Sequence, residues 1–207
     1  MSDRPADRLR EVVVAGHCGE SATAVAALDD PDAGVRAAAL GALERCDALD
    51  DAHLAAALHD AASVVRRRAV ELAARRPGVE LRAVLDDPDP TVVEVAAWAC
   101  GEQLEDAEHP DLDVIARLAE LAVDAAAPLV REAAAASLGA IGHPDGLPAI
   151  LHACGDKPHI RRRAVLALAP FDGDEVTAAI DQALTDRDWQ VRQAAEDLRR
   201  AIGEDPL

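Results

Sequence analysis

Apolar residues recur along this chain with the period of an α-helix and return every thirty residues or so. A β-branched apolar residue followed by arginine stands at Val35-Arg36, Val65-Arg66, Val130-Arg131, Ile160-Arg161 and Val191-Arg192. A sixth copy, Val93-Glu94, keeps the apolar residue and loses the arginine. Alanine follows each apolar position after four residues, at Ala39, Ala69, Ala97, Ala134, Ala164 and Ala195. At about 100° per residue these positions share one helical face, which in the fourth copy continues through Leu138 to Ile141. Ahead of each copy runs another apolar helical stretch that ends in a turn rich in Asp and Pro, such as Leu28-Asp29-Asp30-Pro31-Asp32 and Leu184-Thr185-Asp186-Arg187-Asp188. Aspartate caps free amides at a helix start, and proline fits the first turn because the amide it lacks had no partner there. The unit predicted is therefore helix A, tight turn, helix B, loop.

Self-similarity of this length marks a repeat array. The units fall at about 20–47, 50–77, 79–104, 111–142, 145–170 and 173–202, with a capping helix at about 4–16, in one domain over 1–207. Spacings between the apolar positions are 30, 28, 37, 30 and 31 residues, the long one predicting a loop insertion near Gln103–Asp113. No single helix pair can bury such a stripe alone, so neighbours must stack. The class expected is all-α, a solenoid of about six helix pairs.

The arginines of the paired motif lie at the flank of the stripe, toward the next unit. Aspartate stands six residues earlier in three copies, at Asp30, Asp60 and Asp186. We expect a structural ladder in which Arg36, Arg66, Arg131, Arg161 and Arg192 hydrogen-bond turn carboxylates or carbonyls at the repeat junctions. It should break mid-array, where Glu94 replaces arginine and the aspartates of the fourth and fifth copies are displaced to Asp124 and Asp156.

Composition supports helix on helix. Half of the residues are hydrophobic, but Ala, Leu and Val dominate, with one Phe, two Trp and no Tyr. Small side chains let helix axes approach without aromatic filling. Thirty-nine acids against 21 bases leave a formal charge of −18, shared evenly by the two halves. That field repels phosphate backbones and anionic lipid, so neither nucleic acid nor membrane is an expected partner. The N-terminus does not read as a signal peptide, and no apolar run approaches the roughly 18 residues of a spanning helix. Cys18, Cys46, Cys100 and Cys154 have neither disulfide-framework nor zinc-knuckle spacing, which suits a reducing cytoplasm.

The Asp-Pro turn, the Val-Arg pair, the alanine after it and closings such as Leu138-Gly139-Ala140-Ile141-Gly142 resemble the HEAT repeat family, in particular its short variant named after phycobilisome lyases. The resemblance covers roughly residues 20–202. It implies a superhelical stack whose B helices line a concave face, used chiefly to bind proteins. Relatives that are di-iron hydroxylases carry His-Glu dipeptides as ligands, and none of the seven histidines here precedes glutamate. Chromophore-lyase or oxidoreductase-related activity rests on the repeat name alone. HEAT-like DNA glycosylases use a basic groove with an aromatic residue, a reading the acidic charge opposes.

Local chemistry adds little. His152, Cys154, Asp156 and His159 are plausible metal donors at a spacing that fits no ligand pattern. His17-Cys18 lacks a third group to activate the thiol. No phosphate loop or nucleophile elbow is present. No catalytic residue, metal or cofactor is therefore expected. Two basic clusters interrupt the acidic background, Arg66-Arg67-Arg68 and Arg161-Arg162-Arg163. The first arginine of each belongs to the ladder, whereas Arg67 and Arg162 fall opposite the apolar stripe, as Trp98 does in repeat three. Arg and Trp are enriched at binding hot spots, so these three are the candidate anchors for a protein partner. Trp189 reads as a packing residue. The function expected is a non-enzymatic cytoplasmic adaptor, monomeric or weakly self-associating.

Overall fold

The computed structural model describes residues 4–105 and 107–203. The opening residues Met1, Ser2 and Asp3, part of the N-terminal stretch read above, lie outside the described residues, as does Asp106 within the expected insertion. Among the described residues there are twelve α-helices and no strand. The chain forms two compact units, Met1–Ala99 and Cys100–Leu207.

In the first unit α1 (Pro5–Cys18), α3 (Ala33–Arg45) and α5 (Ser63–Ala73) form one layer, α1 packing on α3 and α3 on α5. The helices α2 (Ser21–Ala26) and α4 (Asp51–Ala57) form the other, each against the long helix that follows it. The A element of repeat three is only a 3-10 turn, Arg82–Asp86. Pro77-Gly78 before it and Pro88-Asp89-Pro90 after it bracket this segment. It leads to α6 (Pro90–Leu104), within which the division between units falls.

In the second unit α8 (Pro128–Ile141), α10 (Pro158–Ala167) and α12 (Trp189–Ala201) continue the same pattern, α10 lying between the other two. Their A partners are α7 (Leu112–Asp124), α9 (Leu147–Ala153) and α11 (Asp174–Leu184). The caps follow from the turn residues. The Asp32, Asp111 and Asp188 carboxylates accept the first free amides of α3, α7 and α12, while Pro128 and Pro158 occupy the first turns of α8 and α10.

Every apolar position of the repeat motif is buried, and so is every alanine four residues on, none more than 7% exposed. Alanine and glycine here set how near the helices lie. A Cβ on Gly139 of α8 would stand 2.5 Å from the Ala167 Cβ and 2.6 Å from its Cα on α10. Gly16 of α1 faces Ala42 of α3 in the same way, at 2.8 Å. At such an approach backbone packs on backbone, and the core closes on Ala, Val, Leu and Ile without aromatic side chains.

Candidate functional site

The turn between the helices of a pair is built around one aspartate. Arg36 on α3 sends Nε and Nη2 to the two carboxylate oxygens of Asp60, in the next turn, at 2.8 and 2.6 Å. Its third arm, Nη1, donates to the backbone carbonyl of Asp30 in its own turn, at 2.8 Å. Arg66 repeats the figure on Asp87, at 2.6 and 2.8 Å, and on the Asp60 carbonyl at 2.9 Å. In the second unit Arg131 holds Asp156 at 2.6 and 3.1 Å and the Ala125 carbonyl at 2.6 Å. Arg161 holds Asp186 at 2.8 and 2.6 Å and the Asp156 carbonyl at 2.8 Å. Arg192 donates to the Asp186 carbonyl at 2.7 Å.

Asp30, Asp60, Asp156 and Asp186 thus face both ways, the carboxylate held by the arginine before and the carbonyl by the arginine of their own unit. Asp87 gives its carboxylate to Arg66, but Glu94 stands where its own unit would carry the arginine, so the ladder breaks there as the sequence predicts. The aspartate six residues ahead of Arg36, Arg66 and Arg192 supplies a carbonyl, where the sequence spacing had pointed to a carboxylate or a carbonyl without choosing. One carboxylate oxygen also accepts a backbone amide further along the turn, Asp32 N–H for Asp30, Ala62 N–H for Asp60 and Asp188 N–H for Asp186, at 2.8, 2.8 and 2.7 Å. The shift at Asp156 does not interrupt the series. Its carboxylate takes the adjacent Lys157 amide at 2.7 Å, and Arg161 reaches a carbonyl five residues back in place of six.

One further joint escaped the sequence pattern. Arg8 on α1 donates Nε and Nη2 to Asp30 at 2.7 and 2.9 Å. It is the most enclosed pair of the series, with side chains 10% and 0% exposed. Asp7 precedes Arg8, so the apolar half of the motif is missing. The distance of 21 to 25 residues from arginine to acceptor, common to all five joints, would have found it.

The arginines hold the carboxyls of Asp30, Asp60, Asp87, Asp156 and Asp186 below the usual carboxylate range, chiefly through the side-chain hydrogen bond and against the opposing effect of burial. A depressed folded-state pKa contributes stability that is present above the unfolded value, near 3.8, and lost as the pH falls through the folded one. The melting temperature should therefore hold level from neutrality to about pH 5 and drop steeply below about pH 4. Thermal denaturation followed by circular dichroism across that range checks this, and the drop should be shallower in D156N.

Arginines not held in these joints reach the surface. Arg67 on α5 is half exposed and stands 3.5 Å from Glu71, which Arg68 also meets at 2.9 Å. Trp98 on α6, in the same unit, is 43% exposed. In the second unit Arg162 and Arg163 on α10 line a cleft with Trp189 of α12. Trp189, the first residue of α12, is 64% exposed, more than the packing role read from the sequence would leave.

No group of three or more His, Cys, Asp or Glu among the described residues is arranged to hold a metal. Of the four donors singled out above, Asp156 already has its carboxylate in a joint, and burial pushes the Cys154 thiol up to about 11. Among the described residues no helix is long and apolar enough to cross a membrane.

The family model for HEAT repeats matches residues 78–169 and, in a second register, 115–199. No match was found among the curated proteins. Among solved structures, YibA of E. coli superimposes with a TM-score of 0.69 at 16% identity, over 99% of this chain and 78% of that one. A designed armadillo repeat protein in complex with the peptide (KR)4 gives 0.66 at 18% identity, over 89% of this chain and 100% of the other. An engineered protein gives 0.65 at 17%, over 88% and 96%. At these identities the likeness is one of fold.

Proposed function

Because this chain belongs to the HEAT repeat family, we propose that it is a non-catalytic scaffold whose exposed B-layer face binds a segment of another protein. The division of labour within the arginine clusters carries this reading. Arg66 and Arg161 are consumed by the joints, while Arg67 and Arg162 lie on the outward side of the same helices. Arginine and tryptophan contribute most at protein interfaces because each combines a large contact surface with directional donors. Trp98 supplies the aromatic component in the first unit, and the designed armadillo protein in complex with the peptide (KR)4 is a repeat array with a bound peptide. The reading sets the protein in the cytoplasm, where the spacing of its four cysteines suits a reducing milieu.

Tagged protein used as bait should recover a specific partner from lysate of its source. R67E/R162E should lower that recovery at least tenfold while leaving the far-UV circular dichroism spectrum unchanged. Equal recovery by the variant would remove Arg67 and Arg162 from the site, and recovery of nothing by the parent chain would remove the scaffold reading.

A further inference from the structure

The cleft between α10 and α12 has a chemistry opposite to that of the chain as a whole. Its volume is about 310 Å³, and Arg162, Arg163 and Leu166 face Trp189, Gln193 and Asp197 across it. Leu166 and Trp189 are 40% and 64% exposed, so the fold leaves two large apolar side chains uncovered beside two guanidinium groups. Among the described residues Arg162 has no carboxylate partner. Arg163 lies 3.8 Å from Glu132 in a loose, half-exposed contact. The one acid in the lining, Asp197, is already engaged by Gln193 Nε2 and Arg200 Nη1, both at 3.0 Å. The local field in the cleft is therefore positive although the formal charge of the chain is −18.

We infer that this cleft takes an acidic peptide segment carrying one large apolar side chain. The inference rests on the scaffold reading and names the partner chemistry for the second unit. Two arginines on successive positions of α10 offer forked donors that fit carboxylates in paired hydrogen bonds. The volume suits one leucine- or phenylalanine-sized group resting on the Trp189 ring and Leu166, with the flanking acids directed to Arg162 and Arg163. A basic segment would meet the two guanidiniums at close range and gain nothing from an Asp197 that is already paired. The acidic surface elsewhere repels an acidic segment at long range, so recognition in the cleft depends on close-range pairing with Arg162 and Arg163.

Isothermal titration of the full chain with the capped peptide EELEE tests the assignment, with KKLKK and EEEEE as comparisons. EELEE should bind, EEEEE should bind several-fold more weakly, and KKLKK should not bind. R162E/R163E should weaken EELEE at least tenfold and W189A about fivefold. R10E/R75E makes the same change of net charge on exposed residues elsewhere and should stay within about twofold of the parent. Binding of KKLKK as tight as that of EELEE, unchanged affinity in R162E/R163E, or an equal loss in R10E/R75E would overturn the proposal. If a titration fails in any of these ways while the bait still recovers its partner through Arg67, the acidic assignment falls and the scaffold reading stands.

Discussion

Replacing Asp30 with alanine should remove about 3–5 kcal/mol of folding stability, the largest loss expected from any ladder substitution. The reason is enclosure. The Asp30 side chain is fully buried and its partner Arg8 nearly so, whereas the carboxylates of Asp60, Asp156 and Asp186 keep 15 to 20% of their surface. Deleting the carboxylate strands the Arg8 Nε and Nη2 donors away from water and also frees the Asp32 amide. An orphaned buried charge costs more than the intact pair contributes. R8M/D30L, which removes both charges and fills the space with apolar atoms, should therefore recover most of the loss. Urea unfolding followed by circular dichroism gives both values. A loss below about 1 kcal/mol in D30A would mean that water reaches the site and that the joint behaves as a surface pair.

Gly139→Val should cost about 3 kcal/mol by a different route. The new Cβ would lie within 2.8 Å of three atoms of Ala167, two of them backbone, so no side-chain rotation relieves the clash. The helices α8 and α10 must separate instead, and the Arg131–Asp156 joint between their repeats is stretched with them. Gly139→Ala should do less harm, because alanine in a helix regains up to about 1 kcal/mol of backbone entropy. Gly155→Ala is the control. Its Cβ meets nothing nearer than the His152 carbonyl oxygen at 3.4 Å, and its stability should change by less than about 0.5 kcal/mol. Melting temperatures of the three variants under one buffer would rank them.

The B helices were legible because their signal is repeated packing. In every repeat the motif's β-branched residue and the alanine four positions later are buried, from Val35 and Ala39 to Val191 and Ala195. The A elements were less legible because they are short and owe their form to context. Repeat three reduces its own to a single 3-10 turn, which thirty-residue spacing alone does not reveal. The ladder arginines could be found by their neighbours, but not the direction of their reach. A spacing of six residues identifies the carbonyl acceptor, while the carboxylate lies in the next unit and depends on stacking. Arg8 was missed because Asp7 stands where the motif has an apolar residue. Of the candidate anchors, the sequence singled out Arg67, Arg162 and Trp98 by their side of the helix. It could not show that Trp189 is left uncovered beside Arg162, since that follows from where α12 begins relative to α10.

The two-way use of the turn aspartates also bears on how such an array can grow. Units such as the first, with Arg36 and Asp30, and the fifth, with Arg161 and Asp156, bring a donor near the start of the B helix and an acceptor in their own turn, so a duplicated stretch that covers one of them inherits one of each. Unequal crossing-over at almost any point within a repeat would then regenerate complete joints on both sides of the new copy, because the donor upstream finds the inserted aspartate and the inserted arginine finds the original one. The tolerance for 21 to 25 residues between them means that the breakpoints need not even match in length.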